Sequence, residues 1–287
     1  MRIVSDRGMD MSPEQMDGLD IHLVPLTLTL EGKTYRSGVD IQPDEFYRLL
    51  ESSASFPTTS QPSPGDFADL YRRLAADDPD ILSIHISSGL SGTVNAARAG
   101  AEMTPEARVT IVDTKTLSGA EGWQVEAAAR AAQVGWPKER IVELLERISA
   151  VTDTLYTLAT LKYLIHGGRI NHIKGLLAQV LNIRPLIGVE KEHGTYVQHG
   201  QARTLDKAIL KIADYVMERF APGTEMRFQV LHGHNAEGAA LLRRRLEELF
   251  KCTFLPTGPI APVLGAHTGP GLVGLVFAPM SAFPKMP

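Results

Sequence analysis

Along the first half of the chain, short apolar runs alternate with longer stretches in which apolar side chains recur every three or four residues, the pattern of a sheet with covering helices. Phe67, Leu70, Tyr71 and Leu74 fall at i, i+3, i+4 and i+7 within Asp66 to Ala76, which predicts an amphipathic helix. Ser63-Pro64 ahead of it makes an N-cap and first-turn pair, and Asp66 stands three residues on, where a capping box wants its acceptor. Over Ile81 to Ile86, Leu82, Ile84 and Ile86 alternate with Ser83 and His85, a strand. The small-residue loop Ser87-Ser88-Gly89-Leu90-Ser91-Gly92 follows, then the helix-compatible Thr93 to Met103. The same grammar repeats with Arg108 to Val112 as strand, Asp113 to Gly119 as loop and Ala120 to Val134 as helix. Gly135-Trp136-Pro137 ends that helix, and Pro137 is suited to open the next one.

After Ser149 the texture changes. Leu158 to Leu164 leads into Gly167-Gly168-Arg169-Ile170, and Val180 to Val189 contains Pro185, which suits neither a helix interior nor a central strand. Two α/β domains are expected, residues 1–155 and 156–287. In the second, Leu205, Ile209, Ile212 and Val216 form one helical stripe, and Leu242, Leu246, Leu249 and Phe250 another. Arg243-Arg244-Arg245 lies largely off the leucine stripe and reads as a solvated face. Arg227 to Leu231 is a short strand candidate, and Leu272 to Phe277 reads as a fully buried strand.

A length of 287 residues fits two domains of ordinary size. The balance of 29 Lys+Arg against 33 Asp+Glu, a formal net charge of -4, argues against nucleic acid as a partner. The single cysteine, Cys252, excludes an internal disulfide and multi-cysteine zinc patterns, fits a reducing compartment, and reads as a small hydrophobe. Charges at Arg2, Asp6 and Arg7 without a following apolar region oppose a secretory signal. No stretch reaches the roughly 20 apolar residues that span a bilayer. A soluble, cytoplasmic protein is the expectation.

Three loops carry the candidate chemistry: Thr58-Thr59-Ser60-Gln61-Pro62-Ser63, Ser87 to Gly92, and His267-Thr268-Gly269-Pro270-Gly271. They offer hydroxyls, amides and an imidazole, and no carboxylate. The first two run into helices, whose free N–H groups and dipole favour an anion, so the three read together as an oxyanion cradle. Taken singly, each also reads as ordinary caps and turns, Ser63 above all. Phosphate-loop, H-E-x-x-H and G-x-S-x-G patterns are missing. His232-Gly233-His234 is a weak metal signal without an adjacent carboxylate, so no metal is expected. Gly269 to Gly274 looks like a dinucleotide fingerprint but precedes a strand instead of following one. An enzymatic alternative makes Ser91 a nucleophile and His267 its base in an acyl hydrolase or acyltransferase, with Asp113 as a conceivable third member.

At these same segments the sequence resembles the DegV family, which includes the acyl-carrying subunits of bacterial fatty acid kinase. The matching stretches are Thr59-Ser60-Gln61-Pro62-Ser63, Ser87 to Thr93, Leu161-Lys162-Tyr163-Leu164 with Gly167-Gly168-Arg169-Ile170, Leu181-Asn182-Ile183-Arg184-Pro185, and Gly265-Ala266-His267-Thr268-Gly269-Pro270-Gly271. The resemblance implies a two-domain fold, an N-terminal parallel-type sheet with helices and a C-terminal α/β domain, with the ligand between them. The ligand would be a long-chain fatty acid, palmitate for example, with its carboxylate near Thr59, Ser91 and His267 and with Ser60, Ser88 and Thr268 as neighbouring ligand-binding candidates. No cofactor is implied. Arg169 and Arg203 are similar to positions that face a separate ATP-dependent kinase subunit, which would form the acyl phosphate. Such a carrier would itself perform no catalysis. A third reading is a regulatory or interaction module whose lipid is only structural. The chain departs from the family pattern at Ser5-Asp6-Arg7, where Thr-Asp-Ser is usual, and at Ser37-Gly38, where Asp-Gly is usual.

Overall fold

A computed structural model of the chain describes residues 1–172 and 183–283. Strands β1 (Arg2–Asp6) and β2 (Ile21–Val24) flank the one-turn helix α1 (Pro13–Met16). β3 (Thr27–Leu30), β4 (Lys33–Arg36) and, after helix α2 (Pro43–Ser52), β5 (Thr58–Ser60) form a small antiparallel sheet in the order β4-β3-β5. Helix α3 (Pro64–Ala75), β6 (Asp80–His85), α4 (Thr93–Glu102), β7 (Arg108–Asp113), α5 (Ser118–Gln133) and α6 (Lys138–Val151) complete the N-terminal half. Its main sheet is parallel throughout, in the order β2-β1-β6-β7.

Helices cover both faces of that sheet. Phe67, Leu70, Tyr71 and Leu74 of α3 pack with Val4 and Ile81 on one side. Val125, Ala128, Ile141 and Leu144 of α5 and α6 pack with Ile3, Leu82 and Ile84 on the other. The capping box at α3 closes in both directions, Asp66 N–H donating to Ser63 Oγ and Ser63 N–H to Asp66 Oδ2. The polar half of β6 does not face water. Ser83 and His85 are both fully buried, satisfied by the Tyr71 hydroxyl and by Asp6.

The second half adds β8 (Asp153–Thr157), α7 (Lys162–His166), β9 (Arg184–Val189), β10 (Tyr196–Ala202), α8 (Leu205–Met217), β11 (Glu225–His232), α9 (Ala236–Leu249), β12 (Lys251–Phe254), β13 (Gly258–Pro259), α10 (Pro262–Thr268) and β14 (Val273–Pro279). These strands form a mixed sheet in the order β10-β9-β8-β14-β11-β12, with β13 also on β11. Helices α8 and α9 cover one face with Ile209, Ile212, Val216, Leu242 and Leu246, the two stripes read from the sequence. Arg243 and Arg245 pair at the surface with Glu247 and Glu248. Cys252 is half-buried beside this core, and burial pushes its thiol up to about 11. No described helix is long and apolar enough to cross a membrane.

Two sequence expectations need correction. Pro185 does lie in a strand with neighbours on both sides. β8 pairs with β9 only from Leu186 to Gly188, so at Pro185 the strand has β10 alone as its partner and behaves as an edge. Leu181 and Asn182, part of the same motif, lie outside the described residues. The segment beginning at His267 is also not a loop at its start. His267 and Thr268 are the last residues of α10, which Pro262 opens with its pre-set φ.

A core of large side chains joins the two halves. Leu28, Phe46, Tyr47, Leu90 and Trp123 from the first half pack with Tyr156, Ile187, Leu231, Leu264 and Val276 from the second. Helix α10 belongs to the second half in sequence, yet it packs on α2, β3 and β5 of the first.

Candidate functional site

Thr59 stands on β5, opposite Leu28 of β3. The packing of α10 on this small sheet brings His267, on the last turn of the helix, to Thr59, with Oγ1 and Nε2 2.8 Å apart across 208 residues of chain. Ser91 arrives from the loop after β6. Its oxygen lies 2.8 Å from Thr93 Oγ1 and accepts the Thr93 N–H at the start of α4.

That loop is seated against the other half of the molecule. Ser87 is fully buried and donates its hydroxyl to the Gly194 carbonyl of the β9–β10 connection, at 2.8 Å. A Cβ on Gly89 would lie 2.4 Å from the His193 carbonyl oxygen, so the close approach requires glycine. Upstream, Asp6 accepts the Ile86 N–H at 3.1 Å and the His85 Nδ1–H at 3.0 Å, fixing where the loop leaves the sheet. In this way Asp6 sets the position of Ser91 from behind.

Thr59, Ser91 and His267 line one cavity of about 270 Å³, together with Ser60, Gln61, Arg169 and Tyr196. Leu26, Ile86, Leu90, Val263 and Leu264 supply its apolar walls. No carboxylate lines it among the described residues. Tyr196, Leu264 and His267 also border an apolar recess of about 40 Å³, walled by Leu117, Leu231, Ile260, Leu272 and Val276 in the core between the halves. The polar cradle and the apolar recess thus share three wall residues.

The charge in the cradle comes from Arg169. Burial, and next the Arg169 guanidinium, push the His267 imidazole down to about 3, so the ring is neutral at ordinary pH. Its Nδ1 is buried without a hydrogen-bond partner. The tautomer with the proton on Nε2 leaves only a lone pair unmatched there, which costs less than an orphaned N–H. In that tautomer His267 donates to Thr59, and the Thr59 hydroxyl is free to donate into the cavity. Arg169 is half-buried and anchored by Nη1 to the Gly167 carbonyl at 2.6 Å.

The remaining candidates from the sequence are placed elsewhere or at the margin. Ser60 lines the cavity but is exposed. Ser88 faces away, its N–H and hydroxyl both donating to Asp113. Thr268 turns its hydroxyl back to the Leu264 carbonyl and borders the apolar recess. Arg203 is exposed between β10 and α8. His234 pairs with Glu51 and stacks on Tyr47, while the His232 ring accepts the Asn235 N–H. Among the described residues no group of three metal-ligating side chains forms.

Asp113 is not the third member of a Ser91–His267 pair. It is held by Ser88 and by Lys115, 3.0 Å away, while Ser91 bonds Thr93 and His267 bonds Thr59. A Ser-His-Asp chain does exist, Ser83 Oγ to His85 Nε2 at 2.7 Å and His85 Nδ1 to Asp6 at 3.0 Å, but all three residues are fully buried within the sheet. Sequence reading missed Gln61, Tyr196 and the place of Arg169 in the cavity. Gln61 had a signal, since two residues on from Thr59 along an extended segment is the same face; Tyr196 had none.

The family model described as "Uncharacterised protein, DegV family" matches residues 1–280. A DegV domain-containing protein of Staphylococcus aureus is 34% identical over 274 residues, covering 96% of this chain and 97% of its own. One from Deinococcus radiodurans is 35% identical over 284 residues, covering 98% and 99%. Among solved structures, a fatty-acid-binding DegV family protein from Thermus thermophilus superposes with a TM-score of 0.86 at 32% identity, over 98% of this chain and 100% of that one. The DegV fatty acid binding protein of Bacillus subtilis does so with 0.87 at 26%, over 97% and 98%. With this coverage, this two-domain architecture and the quoted motifs spread along the whole length, the chain belongs to the DegV family.

Proposed function

We propose that this protein binds one long-chain fatty acid, its carboxylate in the cradle of Thr59, Ser91 and His267 and its tail in the apolar core between the two halves. The observation that carries this reading is a carboxylate-free polar cavity holding Arg169 that shares Tyr196, Leu264 and His267 with a recess walled by leucine, isoleucine and valine; at about 40 Å³ that recess must widen, by displacement of core side chains, to admit the tail. Hydroxyl donors from Thr59 and Ser91 suit a carboxylate, and Arg169 supplies the positive charge that a neutral His267 does not. Each buried methylene adds roughly 0.8 kcal/mol before ordering costs, so long chains outcompete short ones. The fatty-acid-binding relatives from Thermus thermophilus and Bacillus subtilis support the same ligand class.

The bound acid is presented to a separate ATP-dependent kinase subunit, with Arg169 and the exposed Arg203 as contacts for that partner. The hydrolase reading needs Ser91 on His267, and each of these holds another partner. Native mass spectrometry followed by denaturing extraction tests the proposal. A non-covalent long-chain fatty acid is the expected result; protein that is empty and takes up no added fatty acid removes the reading, and an acyl adduct on Ser91 replaces it with the enzyme.

A further inference from the structure

A second and larger cleft of about 450 Å³ opens along the seam between the halves, and Leu231 of β11 borders both it and the apolar recess. Arg7, Ser12, Ser37 and Gln42 reach it from the first half and Gln229 and Thr257 from the second. Arg7 and Ser37 meet here. The Arg7 side chain lies against Gly38, its Nη1 3.4 Å from where a Cβ would stand.

The Arg7 guanidinium is half-buried and makes no ion pair with any described residue. Its Nε is fully shielded from solvent and has no hydrogen-bond partner. Burial alone lowers its pKa, with no neighbouring carboxylate to oppose the change. Two acidic residues do border the cleft, and neither serves Arg7. The buried Asp10 accepts from the Ser118 hydroxyl with one oxygen and from the Ala261 N–H at 2.7 Å with the other. Glu14 is exposed on the first turn of α1. A shielded Nε–H without a partner is costly, and the planar fork of arginine matches a carboxylate or phosphate in two parallel bonds.

We propose that this cleft is a second ligand site, in which Arg7 binds the carboxylate or phosphate group of a small anionic metabolite, with Ser12, Gln42 and Thr257 as neutral neighbours. The cleft volume falls within the range of small-molecule sites, about 300–1,000 Å³. Because the cleft is lined from both halves, its ligand bridges them. The cleft shares no lining residue with the cradle cavity of Thr59, Ser91 and His267, and the proposal does not depend on the fatty acid reading.

Isothermal titration calorimetry on the full chain, with inorganic phosphate and separately with succinate as probes, tests the assignment. Saturable binding of at least one anion is expected, weakened at least tenfold in Arg7→Gln and less in Arg7→Lys, which keeps the charge and loses the fork. Binding of phosphate alone assigns a phosphoester ligand and of succinate alone a carboxylic acid. Fatty acid uptake should be the same in Arg7→Gln as in the unaltered protein. Absence of saturable binding of both anions, or binding by Arg7→Gln as tight as by the unaltered protein, overturns the proposal. Should Arg7→Gln not fold, Arg7→Lys decides: full retention of anion affinity there also overturns it.

Discussion

At the scale of single residues, the cradle divides its labour between donors and charge. His267 is neutral from about pH 3 upward, so it orients Thr59 and adds no cation. Arg169→Ala is therefore expected to weaken fatty acid binding more than Ser91→Ala does. A lost charge-assisted bond, worth about 1.5–3 kcal/mol, corresponds to roughly a 10- to 150-fold rise in Kd, with Arg169→Lys in between. Fluorescent fatty acid displacement measures both, and an Arg169→Ala protein that binds as the unaltered one does would remove Arg169 from the cradle. Asp10 makes a separate prediction. Burial raises its pKa from 3.8 to about 7, against the bonds from Ser118 and Ala261. The folded state holds that proton up to about pH 7 while the unfolded chain releases it near 3.8. The stabilisation it brings is thus complete below pH 3.8 and is lost as pH rises through 7, by an amount on the order of a few kcal/mol. Asp10→Asn keeps the acceptor for Ala261 and cannot ionise. Urea unfolding across a pH series should show the variant matching the unaltered protein near pH 4 and exceeding it near pH 8; parallel curves would refute the account.

Whole elements show where sequence reading succeeds. α3 was legible to within two residues because its apolar period, its Ser63-Pro64 start and its Asp66 acceptor all agree. β14 was legible as a buried run because it lies inside a sheet covered on both faces. The hairpin of β3 and β4 went unread although Glu31-Gly32 marks a two-residue turn with both φ values positive. Of the cradle, the sequence yielded Thr59, Ser91 and His267 through family motifs, yet not their convergence, which depends on α10 crossing to the small sheet. Nor did it yield Arg169 as the charge, because a Gly-Gly-Arg turn does not say which way its arginine faces. The same turn explains a glycine. A Cβ on Gly167 would lie 2.2 Å from His267 Nδ1, where α7 packs on α10. Gly167→Ala should therefore displace His267 from Thr59 and raise the Kd for fatty acid about tenfold or more, with thermal stability reduced by only about 1–3 kcal/mol. Unchanged affinity in a folded Gly167→Ala protein would show that His267 need not stay where it is.

The whole molecule has two main sheets but not two independent interiors. Leu28, Phe46 and Trp123 share one core with Tyr156, Leu231 and Leu264, and the joint is stitched by buried polar contacts. Gln229 accepts the Trp123 indole N–H at 2.7 Å and donates to the Asp10 carbonyl, and Val263 N–H donates to Ser37 Oγ. Removing either half would expose this core and leave those groups unpaired, at a cost of about 1–3 kcal/mol for each polar group alone. The two halves should consequently unfold together. Calorimetry is expected to give a single transition whose van't Hoff and calorimetric enthalpies agree, where independent domains would give two. The proposed ligand occupies the same seam, so it should raise the temperature of that one transition without splitting it. Saturation at a hundredfold excess over Kd contributes about 2.7 kcal/mol, a rise of roughly 4–5 °C for a chain of this size. A fatty acid that shifted only part of the transition would mean that the tail packs within one half, and the seam core beside the cradle would then have no part in binding.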